Sequence, residues 1–176
     1  MNPLIHIKNQ YERTLARFQL VEEFVAVGAD KIPPDNAYFG LTLKEVKDET
    51  DAIRNYIDNL FVLGLVASFE SYAKNRYLET IIDRLNIEEE LNPFKKGVYQ
   101  RLKEFGEKRI RIEEMLKDYS PLVDETLIGS IREIIDHRHQ VAHGATPFID
   151  ENNEPTLVFE KLTAFLEHSG LLDSEV

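Results

Sequence analysis

From Leu4 to Val25, apolar side chains fall at Leu4, Ile7, Tyr11, Leu15, Phe18, Val21 and Val25. These steps of three and four trace one face of a helix. The pattern breaks in GADKIPPDNAYFG, residues 28–40, where two glycines and Pro33-Pro34 predict a loop. Thr42 followed three residues later by Glu45 matches a capping box, in which hydroxyl and carboxylate satisfy the free N–H groups of a new helix. That helix is predicted to run to about Leu85, with a weak point at KDETD. Within it LFVLGLVASF, Leu60 to Phe69, is apolar nearly all round and predicts a buried central segment. At about ten residues it is far short of the ~20 that a membrane helix needs.

A second connection, NIEEELNPFKKG, is punctuated by Pro93 and Gly97, and two shorter helical pieces follow near 98–105 and 110–117. Ser120 before Pro121 predicts another helix start, since serine accepts from free donors and proline suits the first helical position. The helix so begun carries Leu127, Ile131, Ile134, Ile135 and Val141 and stops at Gly144. FIDENNEPTLVF sets turn residues between two β-prone runs and reads as a small hairpin near 147–158. A last helix, with Phe159, Leu162, Phe165 and Leu166 on one side, runs to about His168 and ends near Gly170. The expectation is an all-α bundle of four to six helices in a single domain, 1–176, with an N-terminal helix over 4–27 and a core over about 42–172.

Composition narrows the chemistry. A hydrophobic share of 43% with 30% charged residues fits a folded globular chain. The absence of cysteine removes disulfides, thiolate metal sites and a cysteine nucleophile. It suits a reducing cytosol, where the reading places the chain, as does a first stretch without signal-peptide features; no membrane partner is expected. The net charge of −11 opposes non-specific coating of nucleic acid. Between Lys95 and Arg111, however, seven basic residues face Glu104 and Glu107, a local balance of +5. That segment is either a solvated helical face or a patch that meets phosphate.

The densest chemistry is IIDHRHQVAHG, Ile134 to Gly144, which holds three of the five histidines. His139 and His143 lie four apart, a spacing zinc sites use, and Asp136 adds a carboxylate. Gln140 stands where a metalloprotease motif has glutamate, and Arg138 opposes a dication, so no metal is assigned. Alternatively, Arg138 offers a fixed fork of donors to phosphate oxygens, and His143 exchanges a proton near neutral pH. Together they supply what metal-free RNA cleavage needs. Five residues apart, the two are about 140° around an ideal helix, which favours a site completed by a second copy across a twofold axis. A histidine before a terminal glycine also serves simply to meet the last carbonyls. The residues alone leave these readings open.

The segment RHQVAHG resembles the signature of the HEPN superfamily, an arginine followed by a histidine a few residues on, near the end of a long helix. Upstream, LVASFESYAKNRYLE is similar to the earlier core helix of several HEPN subfamilies, with its Phe69-Glu70 pair. The likeness covers roughly Asp51 to Leu172, and among subfamilies it is nearest to the RiboL-PSP-HEPN or MAE-28990-like group. It implies a helical homodimer whose motif helices line one cleft, and a cofactor-free, metal-independent endoribonuclease leaving a 2′,3′-cyclic phosphate. Toxin–antitoxin or defence systems are the implied setting, with an antitoxin protein as a further partner. By the same resemblance Arg138 and His143 are catalytic, His139 assists, and Glu70 is either a structural partner of Arg138 or an accessory residue. RNA contacts fall to Lys108, Arg109 and Arg111. The alternative from another class is a non-catalytic helical module for dimerisation or for binding RNA or a nucleotide.

Overall fold

The computed structural model describes residues 2–28, 32–84, 101, 109–144 and 154–172. Among them are five helices and no strand: α1 (Ile5–Gly28), α2 (Leu43–Arg84), α3 (Ile112–Tyr119), α4 (Glu125–Ala142) and α5 (Pro155–His168). The protein is all-α. None of the described helices is long and apolar enough to cross a membrane.

At 42 residues, α2 is the axis of the fold, and each of the other helices packs on it. Its start is the predicted capping box. Thr42 N–H and Oγ1 donate to Glu45 Oε2 at 2.7 and 2.8 Å, and Glu45 N–H returns to Thr42 Oγ1 at 3.2 Å. Those bonds hold the Glu45 carboxyl below its ordinary pKa. The expected weak point at KDETD does not interrupt the helix. Thr50 is wholly buried there and donates to Glu22 of α1 at 2.9 Å, and Glu22 also meets Arg54 at 3.6 Å. Tertiary contacts with α1 thus supply what local propensity lacks.

The main core gathers Phe61, Leu65 and Phe69 of α2, Met115 and Leu116 of α3, Ile131, Ile134 and Ile135 of α4, and Leu162, Phe165 and Leu166 of α5. Phe165 stands edge-on to Phe69 at 5.6 Å and to Tyr119 at 6.0 Å. Aromatic pairs in this geometry add to simple burial. A second, smaller cluster of Val25, Ile32 and Val46 holds the far ends of α1 and α2 together. At the α1 side of the main core, Tyr11 stacks on Phe61 at 4.1 Å and donates to Asp58 at 2.7 Å. Burial raises the pKa of both groups, and the shared bond raises that of Tyr11 further.

Three local expectations are corrected. The helix after Ser120-Pro121 starts at Glu125, because Asp124 accepts from Thr126 and Leu127 N–H groups and is the better cap. Ser120 instead closes α3, its Oγ donating to Lys117 O at 2.8 Å. The second arm of the expected hairpin is the first turn of α5: Pro155 occupies its opening turn and Glu154 accepts from Leu157 N–H at 3.0 Å. The first arm, before residue 154, lies outside the described residues. Finally, LFVLGLVASF is buried on one side only, since Leu60 remains 47% exposed.

Candidate functional site

Helix α4 is built by its apolar stripe. Ile128, Ile131, Ile134 and Ile135 are buried, and continuing the same three- and four-residue steps leads to Arg138. Arg138 is half-buried and makes no hydrogen bond or ion pair among the described residues. Its five donors are therefore uncommitted.

His143 follows as the C-cap, with φ −92° and ψ 13°, so it has already left the helix. Its N–H is shared between His139 O at 3.1 Å and Gln140 O at 3.2 Å. Gly144 takes φ +82° and donates to Val141 O at 3.1 Å, the inner bond of a Schellman ending. Any side chain there would be strained, which is why glycine ends the motif. The His143 side chain is exposed, as are Asp136, His139 and Gln140. His137 is buried at 6% exposure, about 160° around the helix from His139.

Within one chain, then, Arg138 and His143 leave α4 on different sides, while His139 shares the outer flank with His143. Glu70 does not partner Arg138; it pairs with Lys74 of its own helix at 3.6 Å, both half-buried. Among the described residues no three histidine, aspartate or glutamate side chains converge as metal ligands.

Arg132 meets Glu113 of α3 at 3.2 Å, and Arg132 is seven residues, two turns, before His139, on the same flank of α4. Arg111 is the N-cap of α3, and both it and Arg109 are exposed. Arg101 is exposed as well; Lys108 lies outside the described residues.

One further polar site had no signal in the spacing. Tyr77 donates to Asp118, forty-one residues away, beside a cavity of about 300 Å³ lined also by Thr80, Ile81, Tyr119 and Leu122. Burial, then the Asp118 bond, push the Tyr77 phenol up to about 12. Only packing α3 on the end of α2 brings the pair together.

No protein-family model matches the chain, and neither does any curated protein or solved structure.

Proposed function

We propose that the chain is a dimeric, metal-independent endoribonuclease of HEPN type, with Arg138 and His143 as its catalytic pair. The observation that carries this reading is the half-buried Arg138, which has no carboxylate partner among the described residues and lies five residues before the exposed His143. None of its nitrogens is a buried, unpartnered atom, so its donors are free to be met from outside the fold. A phosphate suits them in charge and in fork geometry.

In the reaction His143 takes the proton from a ribose 2′-hydroxyl, and the 2′-oxygen forms a bond to phosphorus. The bond to the 5′-oxygen breaks, and that oxygen leaves with a proton from a second acid, for which the other copy's imidazole is the candidate. The products are a 2′,3′-cyclic phosphate and a 5′-hydroxyl. Arg138 holds the phosphorus oxygens as charge builds on them, His139 positions the substrate, and Arg109 and Arg111, with Lys108, bring the strand in. Glu70 steadies Lys74. A toxin–antitoxin or defence role, with an antitoxin as partner, is the setting this chemistry suits.

The test is cleavage of a mixed RNA pool in EDTA. Arg138→Ala should lower the rate about 10²–10³-fold and His143→Ala about 10²–10⁴-fold, with helical content unchanged. Equal background in all three proteins discards the enzyme reading. One observation favours the alternative, a non-catalytic helical module that binds RNA or a nucleotide: the two groups diverge within a single chain. RNA retained by the wild type, uncleaved and released by Arg138→Ala, would establish that alternative.

A further inference from the structure

The cavity where α3 packs on the end of α2 is built like a ligand site. Tyr77 and Tyr119 supply two aromatic walls, edge-on at 5.9 Å with 64° between their planes. Ile81 and Leu122 make the apolar remainder, and the exposed Asp118 and Leu122 stand where the cavity meets solvent. Its volume of about 300 Å³ lies at the small end of the range for ligand sites, roughly 300–1,000 Å³. Such sites are mostly apolar with a few placed polar groups, which describes this lining.

The hydrogen atoms of those polar groups are already spent. Tyr77 gives its hydroxyl proton to Asp118 Oδ2, and Thr80 Oγ1 donates to Arg76 O at 2.9 Å within α2. What is left on Tyr77 Oη, on Thr80 Oγ1 and on the Asp118 carboxylate is lone pairs, so all three accept and none donates. Burial, then the Asp118 bond, raise the phenol to about 12, so it keeps its proton at neutral pH. The charge has one sign as well. Asp118 is the charged residue of the lining, and Glu114, which also bears on the Tyr77 phenol, is acidic too. The nearby cations are placed elsewhere. Lys117 lines a separate cavity with Glu125 and Arg132, and Arg76 meets Glu79 at 2.8 Å and Leu171 O at 3.2 Å. Among the described residues, no ion pair neutralises Asp118.

We infer that this cavity binds a small organic cation, a primary ammonium carried on a short apolar or aromatic body. An ammonium brings three donors and no acceptor, the complement of three acceptors and one negative charge. Its body packs on Ile81, Leu122 and the tyrosine rings, and those rings also attract a cation. An anion would meet the carboxylate, and a neutral acceptor would find no proton to bond. A calcium ion suits the site badly, because it takes about six to eight oxygens and the apolar walls offer none. The site stands on the junction of α2 with α3 and is independent of the ribonuclease reading.

Amide spectra of the whole chain, titrated with 2-phenylethylamine, test this, with 2-phenylethanol and phenylacetate as neutral and anionic counterparts close in shape. The amine should bind with a dissociation constant of about 0.1–1 mM, ordinary for so few atoms. The alcohol should bind about tenfold more weakly or worse, and phenylacetate not at all. The shifts should centre on residues 77–81 and 118–122. Shifts that spare those residues, no saturation by about 10 mM amine, or equal affinity for amine and alcohol overturns the inference. Asp118→Asn keeps an acceptor for the Tyr77 hydroxyl and removes the charge. It should weaken the amine about tenfold or more and leave the alcohol unchanged. Thr80→Val removes one acceptor and should weaken the amine about threefold; it decides the matter if Asp118→Asn loses helicity. Unchanged amine affinity in either folded variant overturns the assignment.

Discussion

The two halves of α2 live in different proteins, so to speak, although the helix is continuous. Past Phe61 it is the helix on which the others of the bundle pack, and it buries Leu65, Val66, Phe69 and Ala73 completely. Before Asp58, among the described residues, α1 and the connection that follows it lie beside the helix, and the small cluster of Val25, Ile32 and Val46 supplies most of its packing. There the polar chain Thr50–Glu22–Arg54 does work that packing does elsewhere. Equal helical propensity along a sequence therefore does not mean equal local stability, because most helix stability comes from what the apolar face meets.

That contrast can be broken by substitution. Phe69→Ala should cost about 3–5 kcal/mol and lower the denaturant midpoint of the entire molecule, since four helices share that ring's surroundings. Val46→Ala should cost about 1–2 kcal/mol and should act locally. Amide exchange would accelerate in residues 21–28 and 43–54, with α4 amides unmoved. Equal acceleration in α4 would mean that the arm and the bundle unfold as one unit. Thr50→Val should cost about 1 kcal/mol and speed exchange over those same arm residues, because it strips the donor from Glu22 while keeping the shape.

The smallest expected effect belongs to the bundle end and is read by alkali. The Tyr77 phenol is raised from 10.0 to about 12 by burial and its bond to Asp118. The unfolded chain therefore loses this proton before the folded one does. The contribution is fully present below pH 10 and is lost as pH rises through about 12. Unfolding midpoints followed over that window should fall less steeply in Tyr77→Phe; an unchanged slope would show that Tyr77 is not the group responsible.

Much of the architecture was legible because it is written in local chemistry. The Thr42–Glu45 box, the glycine endings at Gly144 and Gly170 with φ of +82° and +69°, and the apolar stripe of α4 are each decided within a turn or two of chain. The errors arose where two local signals competed. Ser120-Pro121 and Asp124 both cap well, and the carboxylate prevailed with Val123 buried beside it. Thr156, Leu157 and Val158 are β-prone, yet Pro155 and Glu154 start a helix through them and the core accepts Val158.

The candidate site divides along the same line. Arg138, His139 and His143 could be picked out by type and spacing, since five residues on a helix determine an angle before any fold is known. Which of the clustered groups would be buried could not: His137 is buried while its neighbour Arg138 is left half-exposed, and only the packing around α4 decides that. Glu70 and Lys74, four apart, chose each other by helix geometry. The pairing of Tyr77 with Asp118 exists only once helices distant in the chain have packed. Local chemistry determines where helices begin, end and turn their apolar sides; what each side finally touches is a property of the assembled bundle.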